Sequence, residues 1–176
     1  MFRRLSIVGA AIALLMLIVV PATAAKKGTD RPFKADLVGE VEFAFFTDCG
    51  SPAPPKVSTE SWGNATHMGR VKATWEHCAG GLDGSGITNG HLTMEAANGD
   101  QIVLTYTDTE LPNSFPMEIR SGTGRFADAA GTLVVTFGVE PQFQPPDCDP
   151  DTDPFGCLNF FVPWPWWASI EGAISY

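Results

Sequence analysis

The chain has 176 residues, 44% of them hydrophobic, and a formal net charge of −9 at pH 7. A domain of this length can bury a substantial core without help from a metal or a partner. The negative charge argues against binding to nucleic acid or to anionic membranes, because both carry charge of the same sign. The sequence contains no nucleophile elbow and no phosphate-binding loop, so it indicates neither a hydrolase nor a nucleotide-binding protein.

The first 24 residues have the three parts of a secretory signal peptide. Arg3 and Arg4 form a short basic head, residues 5–20 are apolar, and the small residues at 22–24 suit cleavage before Ala25. A permanent membrane anchor is the alternative, but the apolar run is short for a membrane span. We therefore expect export by the general secretory route to the periplasm or the extracellular space, with no stable membrane span after cleavage.

Four cysteines in an exported chain predict two disulfides. The sequence alone leaves three possible connectivities. We favour Cys49 with Cys78, which lie at the ends of two predicted strands, and Cys148 with Cys157, which flank a single loop. A zinc site is the alternative, but the spacings lack a close Cys-x-x-Cys pair.

Short segments of alternating apolar and polar residues follow one another along the rest of the chain. Residues 25–36 are polar and basic, and we expect them to form a flexible leader before a domain at 37–176. Within that domain the alternation is typical of strands with one buried face. The predicted strands are 37–47, 70–76, 92–96, 102–106, 115–119, 132–139, 158–162 and 166–176.

Turn residues separate these segments. The three prolines within 49–55 predict a loop, because proline cannot donate a hydrogen bond inside a sheet. Asn98, Gly99 and Asp100 lie between two alternating segments and predict a hairpin closed by a type I′ turn. Residues 121–131, which we call the glycine corner, contain three glycines and lead into the strand at 132–139.

About eight short strands with regular turn signals, and almost no helical periodicity, predict an all-β fold. A sandwich and a barrel both fit this pattern. We favour a single antiparallel β-barrel, because closure leaves no strand edge exposed. A barrel of about eight strands is either filled by its own side chains or wide enough to hold one small ligand.

Four stretches of the sequence resemble a known superfamily. They are NATHMGR at 64–70, ANGDQ at 97–101, GTGRFADAAG at 122–131 and EGAISY at 171–176. Taken in order, they resemble small secreted bacterial proteins of the allene oxide cyclase-like and dirigent-like barrel superfamily, and the glycine corner is the most specific of them. The resemblance implies an antiparallel, calycin-like barrel of about eight strands.

The plant proteins of this superfamily shape a reactive ligand inside a cavity. Allene oxide cyclases close a fatty-acid epoxide into a cyclopentenone, and dirigent proteins steer radical or quinone-methide coupling. The stretches that carry the resemblance are turn and strand motifs, so the resemblance assigns no catalytic residue to this chain.

Large side chains on the predicted inward faces are candidate ligand contacts. Residues 160–167 contain more aromatic side chains than one strand face can bury. Some of them therefore contact a ligand, a glycan or a partner, or else cover the end of the barrel. The candidates for the lumen or its mouth are Phe43, Phe45, Trp75, Met94, Tyr106, Phe137, Trp164, Trp166 and Trp167.

The acidic loop at 142–156 holds a candidate metal site. Asp149, Asp151 and Asp153 alternate there, and calcium is the natural ion for such carboxylates in an exported protein. The spacing does not follow the helix-loop-helix calcium pattern, so a solvated acidic loop is the alternative.

The remaining polar candidates are expected to be structural. His67, His77 and His91 lack the spacing of a metal site, and His67 is expected to form a hydrogen bond within a turn. Arg125 and Asp128 are expected to tie down the glycine corner.

The predicted function depends on what faces the interior. Glu40, Glu42 and Glu76 alternate outward, and no histidine or carboxylate is expected on an inward face. We therefore favour a secreted, non-catalytic module that binds an apolar small molecule or an extracellular partner and needs no cofactor. The alternative is a cyclase or isomerase acting on an apolar ligand inside the barrel, which requires an open cavity with one or two polar groups.

Overall fold

Eight antiparallel strands close into one barrel, in which β1 pairs with β8 and every other contact joins strands that are consecutive in the chain. The computed structural model describes residues 28–44, 49, 56–79, 86–107, 113–143 and 157–176. The predicted all-β barrel is confirmed. The strands are β1 (Arg31–Ala44), β2 (Lys56–Ala65), β3 (Gly69–Cys78), β4 (Thr88–Ala96), β5 (Gln101–Tyr106), β6 (Ser114–Gly122), β7 (Ala130–Val139) and β8 (Trp164–Ser175).

The middle of the barrel is filled by aliphatic side chains. Leu92, Met94, Leu104, Met117 and Leu133 point inward from four neighbouring strands and are 0% exposed. A void large enough for a water molecule would expose the atoms around it. The side chains in the middle layer therefore pack against one another and leave these five residues out of contact with water.

The first strand begins earlier than expected. Residues 31–36, which the sequence placed in the flexible leader, form the first part of β1, and Phe33 and Ala35 are buried there. The charged residues that alternate with them made this segment resemble a polar leader. β8 provides the hydrogen-bonding partner, with Arg31 opposite Ile174. The expected signal peptide and residues 25–27 lie outside the described residues.

The sequence did not predict β2. Its inward side chains include Thr59, Ser61 and Ala65, which are small or polar, so the strand shows no apolar alternation. β1 and β3 pair with it on both sides and bury that face. Pairing in the closed barrel, rather than local hydrophobicity, makes this segment a strand.

The strand predicted at 158–162 is wrong. Leu158 makes only an isolated bridge to Phe143, and the chain turns at residues 160–162 before β8 begins at Trp164. The indole Nε1 of Trp164 donates a hydrogen bond to the carbonyl oxygen of Asn159, 2.7 Å away. This bond holds the aromatic segment as a turn that folds back onto the first residue of β8.

The two ends of the barrel differ in the length of their connections. At one end, the turn end, the strands are joined by residues 66–68, 97–100 and 123–129. At the other, the loop end, the connections span 45–55, 79–87, 107–113 and 140–163. Loops on a rigid scaffold commonly carry function. The loop end is therefore the first place to look for a site.

The turn end is closed by local interactions. The hairpin at Asn98 is confirmed, but its turn is not type I′, because only Gly99 has the positive φ (84°) and Asn98 does not. Arg125 pairs with Asp100 at 3.3 Å and so ties the glycine corner to this hairpin, as expected of the arginine. Asp128 is exposed and forms no ion pair with any described residue. His67 Nε2 lies 3.0 Å from the carbonyl oxygen of Pro32, which confirms its role in a turn.

Candidate functional site

Aromatic side chains line the interior at the loop end. Trp75 lies at the centre of one group, with its ring centroid 5.0 Å from that of Trp166 and 6.0 Å from that of Tyr106. Phe115 stacks on Tyr106 at 4.8 Å and contacts Phe137 at 5.6 Å. These residues belong to five strands, β3, β5, β6, β7 and β8, whose inward faces meet at this level of the barrel.

A second group of rings lies beside β1. Phe43 contacts Trp164 at 4.7 Å and Phe160 at 5.2 Å, and Phe160 stacks on Trp164 at 5.1 Å. Phe160 reaches this position because the chain turns back before β8. We call the two groups together the aromatic cluster, which comprises Phe43, Trp75, Tyr106, Phe115, Phe137, Phe160, Trp164 and Trp166.

The structure separates the candidate ligand contacts into three places. Met94 lies deeper, in the packed middle of the barrel, and Trp167 lies on the outer face. Phe45 lies outside the described residues. Ligand contact by any of them stays a prediction. The candidates that meet in the aromatic cluster are Phe43, Trp75, Tyr106, Phe137, Trp164 and Trp166.

One histidine does face the interior, contrary to the sequence-based expectation. His77 continues the inward series of β3 after Trp75, and its Nδ1 atom lies 3.0 Å from the hydroxyl oxygen of Tyr106. The same hydroxyl is 3.5 Å from the carbonyl oxygen of Glu76. The strand predicted from the sequence ends at Glu76. Extending the alternation by one residue would have placed His77 inside.

Burial keeps both members of this pair neutral at physiological pH. Loss of solvation lowers the pKa of His77 from 6.5 to about 4, because the protonated imidazole is the form that burial penalises. Burial also raises the pKa of Tyr106, and the negative charge of Glu76 adds to that rise. The site therefore presents a neutral imidazole and a protonated phenol among aromatic rings.

The His77–Tyr106 bond leaves Nε2 of His77 for a ligand. If the phenol donates to Nδ1, Nε2 carries the proton and can donate; if Nδ1 donates to the phenol, Nε2 is an acceptor. Within the described part of the chain, Nε2 forms no hydrogen bond. A base with a pKa of about 4 removes protons poorly at neutral pH, so this geometry suits hydrogen bonding better than general-base catalysis.

The indole N–H of Trp75 and the hydroxyl of Ser61 form their hydrogen bonds within the protein. The indole Nε1 of Trp75 donates to the hydroxyl oxygen of Ser61 at 3.1 Å, and that hydroxyl donates to the carbonyl oxygen of Ala73 at 3.4 Å. Ser61 is fully buried and Thr59 almost so. Neither residue was a candidate from the sequence, because β2 shows no apolar alternation. The hydrogen bonds of Ser61 fix the ring of Trp75 rather than offer a contact to a ligand.

A disulfide joins the first long loop to the strand that carries His77. Cys49 and Cys78 are bonded, with their Cα atoms 5.5 Å apart, as the sequence predicted. Cys157 is also disulfide-bonded, and its expected partner, Cys148, lies outside the described residues. The described cysteines include no free thiol, which removes the zinc alternative at Cys49 and Cys78. A disulfide is compatible with export from the cytoplasm.

Among the residues described, no group of three histidine, cysteine or acidic side chains is placed to hold a metal ion. The candidate calcium ligands Asp149, Asp151 and Asp153 lie outside those residues, so the calcium site stays a prediction. In the same part of the chain, no helix is long and apolar enough to cross a membrane.

Comparison with known proteins identifies the fold. No family model and no curated protein matches the sequence. The structure matches that of the pterocarpan synthase dirigent protein GePTS1 with a TM-score of 0.55 and 13% identity, over 93% of this chain and 99% of that one. The pterocarpan synthase dirigent protein PsPTS1 matches with a TM-score of 0.53 and 13% identity, over 86% and 99% of the two chains. The dirigent-like barrel that the sequence resemblance implied is therefore confirmed, and at this identity the likeness concerns the fold alone.

Proposed function

We propose that this dirigent-like barrel is an exported binding module that holds a small apolar molecule at its loop end and does not transform it. The observation that carries the proposal is the aromatic cluster, in which Tyr106 is hydrogen-bonded to a neutral, inward-facing His77, above a packed barrel middle. Small-molecule sites are mostly apolar and contain a few polar groups that orient the ligand.

The depth of the site follows from the packing. Because the middle layer is filled, a ligand does not run through the length of the barrel, and its contacts come from the loop-end rings. Phe43 and Phe137 are only partly buried and border this region. Aromatic side chains supply large contact areas with little loss of side-chain entropy. Nε2 of His77 supplies the orienting hydrogen bond.

Two features support export. The segment at 1–24 has the pattern of a signal peptide, and the Cys49–Cys78 disulfide is of a kind that persists in oxidising compartments. The negative charge of the chain fits a neutral, apolar ligand better than an anionic one.

The inward position of His77 favours one alternative function, a cyclase or isomerase that uses the His77–Tyr106 pair to move a proton. The low pKa of the imidazole argues against it, because a general base works best when its pKa lies near the working pH. We therefore propose ligand binding rather than isomerisation, and the measurements below distinguish the two.

The test uses N-phenyl-1-naphthylamine, a neutral aromatic probe, added to the purified mature protein. Binding is followed by energy transfer from the tryptophans to the probe. We expect Phe43→Ala and Phe137→Ala each to weaken the affinity roughly three- to tenfold, as expected for loss of one aromatic contact. Met94→Leu, a conservative change in the packed middle, is the matched control and should leave the affinity unchanged.

Failure of the wild-type protein to bind the probe, or equal weakening by the Met94→Leu control, would contradict a loop-end site. Native mass spectrometry of the freshly exported protein then asks whether a small molecule co-purifies. A bound molecule that is chemically unchanged after incubation supports binding. A rearranged molecule, with rearrangement lost in His77→Gln, would replace the proposal by the isomerase alternative.

A further inference from the structure

The outer wall of the barrel carries an exposed apolar row that the loop-end site does not use. Val38 on β1 lies directly opposite Trp62 on β2 and Trp167 on β8 in the strand pairing. The three side chains are 64%, 51% and 46% exposed, respectively. We call them the wall row. Large apolar side chains that are contiguous on a surface usually mark a contact with another molecule.

The indole of Trp167 lies against the strand beside it. It pairs with Gly138 on β7, and a side chain at position 138 would meet the indole atoms Nε1, Cε2 and Cζ2 at 2.5 to 2.7 Å. The indole therefore lies across the space that the glycine leaves open. A ring laid against the sheet in this way keeps its other side toward solvent and loses little entropy when something stacks on it.

A shallow polar groove adjoins the other end of the wall row. It has a volume of about 430 Å³, and Trp62 forms part of it together with Asn64, Arg70, Lys72 and Glu95. Lys72 lies opposite Trp62 on one side and Glu95 on the other, so the wall row continues into the groove.

The polar side chains of this groove are partly fixed. Lys72 binds Glu60 at 2.7 Å, and the amide of Gln101 donates to the Glu95 carboxylate at 2.7 Å. The side chain of Arg70 forms no ion pair or hydrogen bond with any described residue. Its five guanidinium donors are therefore available to a ligand in the groove.

We propose that the wall row and the groove form a binding surface for a neutral polysaccharide. Pyranose rings have an apolar C–H face that stacks on an exposed indole, and hydroxyl groups at their rim that bond to amide, guanidinium and carboxylate groups. Trp62 supplies the stacking surface, and Asn64, Arg70 and Glu95 supply the hydrogen bonds. Trp167 provides a second stacking position farther along the same row.

The two indoles form separate stacking positions on the barrel wall. Trp62 and Trp167 belong to strands on either side of β1. The indole of Trp167 leans toward Gly138 on β7, and Trp62 lines the groove beside β3, so each ring leans away from Val38.

Size and charge argue against other occupants. The wall row consists of three side chains, whereas a stable interface takes roughly 800 Å² from each partner, so a second copy of the chain would need far more surface. The net charge of −9 opposes anionic polysaccharides, and a neutral glycan feels no such repulsion. This surface is separate from the loop end, and the inference does not depend on the proposed function.

The experiment measures retention of the purified mature protein on insoluble cellulose and chitin, with alginate gel as the anionic comparison. Soluble cello- and chito-oligosaccharides are then titrated by calorimetry. We expect retention on at least one neutral polymer, little effect of salt, and an affinity lowered roughly tenfold in Trp62→Ala and severalfold in Arg70→Ala and Trp167→Ala. Phe161→Ala is the matched control, because Phe161 is an exposed aromatic residue of the β7–β8 loop, outside the wall row.

All four positions are exposed on the surface, so the variants should keep the wild-type circular dichroism spectrum and melting temperature. Absence of retention on both neutral polymers would overturn the proposal. Retention on alginate alone, or equal loss in the Phe161→Ala control, would overturn it too. A concentration-dependent dimer that disappears in Trp62→Ala, without any glycan binding, would assign the surface to a second copy of the chain instead.

Discussion

At the scale of single residues, one side chain changes the character of the interior. His77 lies one residue beyond the strand end that the sequence indicated, and its inward position places a polar atom among the rings of the aromatic cluster. Its hydrogen bond with Tyr106 offsets part of the cost of burying the imidazole. The lowered pKa reflects a further cost, that of burying the protonated form of the imidazole.

This burial predicts a specific loss of stability in acid. The pKa of His77 is about 4 in the folded protein and 6.5 in the unfolded chain, so below pH 6.5 the unfolded state binds a proton that the native state does not. The contribution of neutral His77 to the free energy of unfolding is fully present above pH 6.5. It is lost as the pH falls toward 4, and the loss amounts to about 3 kcal/mol.

The measurement compares urea unfolding of wild type and His77→Gln at pH 7 and pH 4.5. Carboxylates that titrate in the same range contribute equally to both proteins and cancel in the difference. The wild type should lose more stability than the variant on acidification. Identical pH dependence in the two proteins would show that His77 is solvated in the native state.

At the scale of elements, β1 and β2 are held together by two glycines. Gly39 on β1 faces Ser61, and Gly63 on β2 faces Leu37. A side chain at 39 would meet the backbone of Glu60 and Ser61, and one at 63 would meet the backbone of Asp36. A glycine in a strand commonly marks such a close approach of another backbone. This contact lets a strand with small and polar inward residues pack in the barrel wall.

Gly39→Ala should therefore destabilise the protein by about 2 kcal/mol, because the added methyl group overpacks two paired backbones. Gly138→Ala is the matched control in another strand, since its methyl group would meet only the exposed ring of Trp167, which can move. We expect that change to cost less than about 1 kcal/mol. Chemical unfolding of the two variants gives the comparison, and equal losses would contradict a backbone contact at 39.

At the scale of the whole molecule, the disulfide adds a constraint that strand pairing does not supply. Pairing of β1 with β8 closes the barrel, but the connection from β1 to β2 leaves the barrel at the loop end. Cys49 in that connection is bonded to Cys78, the last residue of β3, across a sequence separation of 29. The bond therefore anchors the loop beside the strand end that carries His77.

Replacing both cysteines, as Cys49→Ser with Cys78→Ser, should lower the free energy of unfolding by about 3 to 4 kcal/mol, the loop-closure value for a segment of this length. Urea denaturation under non-reducing conditions measures the loss. A loss below about 1 kcal/mol would mean that the loop is ordered without the bond. Peptide mapping of the unreduced protein also checks the predicted Cys148–Cys157 bridge, for which two free thiols would be the contrary result.

Strand positions were predictable wherever large apolar residues alternate, as in β4, β5 and β7. Prediction failed where the local pattern and the tertiary environment disagree. Ser61 is buried because two neighbouring strands cover it, and Phe160 is in a turn because it packs on Trp164. Composition and alternation indicated six of the eight residues of the aromatic cluster; Phe115 and Phe160 were not among the candidate ligand contacts. His77 was missed because it lies on the inward face of β3 only if the strand continues past Glu76.

The amino-acid sequence by itself determined the all-β class and the residues of the glycine corner, and it favoured the pairing of Cys49 with Cys78. These follow from alternation, turn chemistry and spacing, which act over a few residues. The expected count of about eight strands agrees with the structure because one missed strand, β2, offsets the wrong strand at 158–162. Only the tertiary structure decided that β2 is part of the wall, that His77 meets Tyr106, and that Trp62, Val38 and Trp167 form one row. Such contacts depend on the register between strands far apart in the chain, and register is fixed only when the barrel closes and one face of every strand is buried.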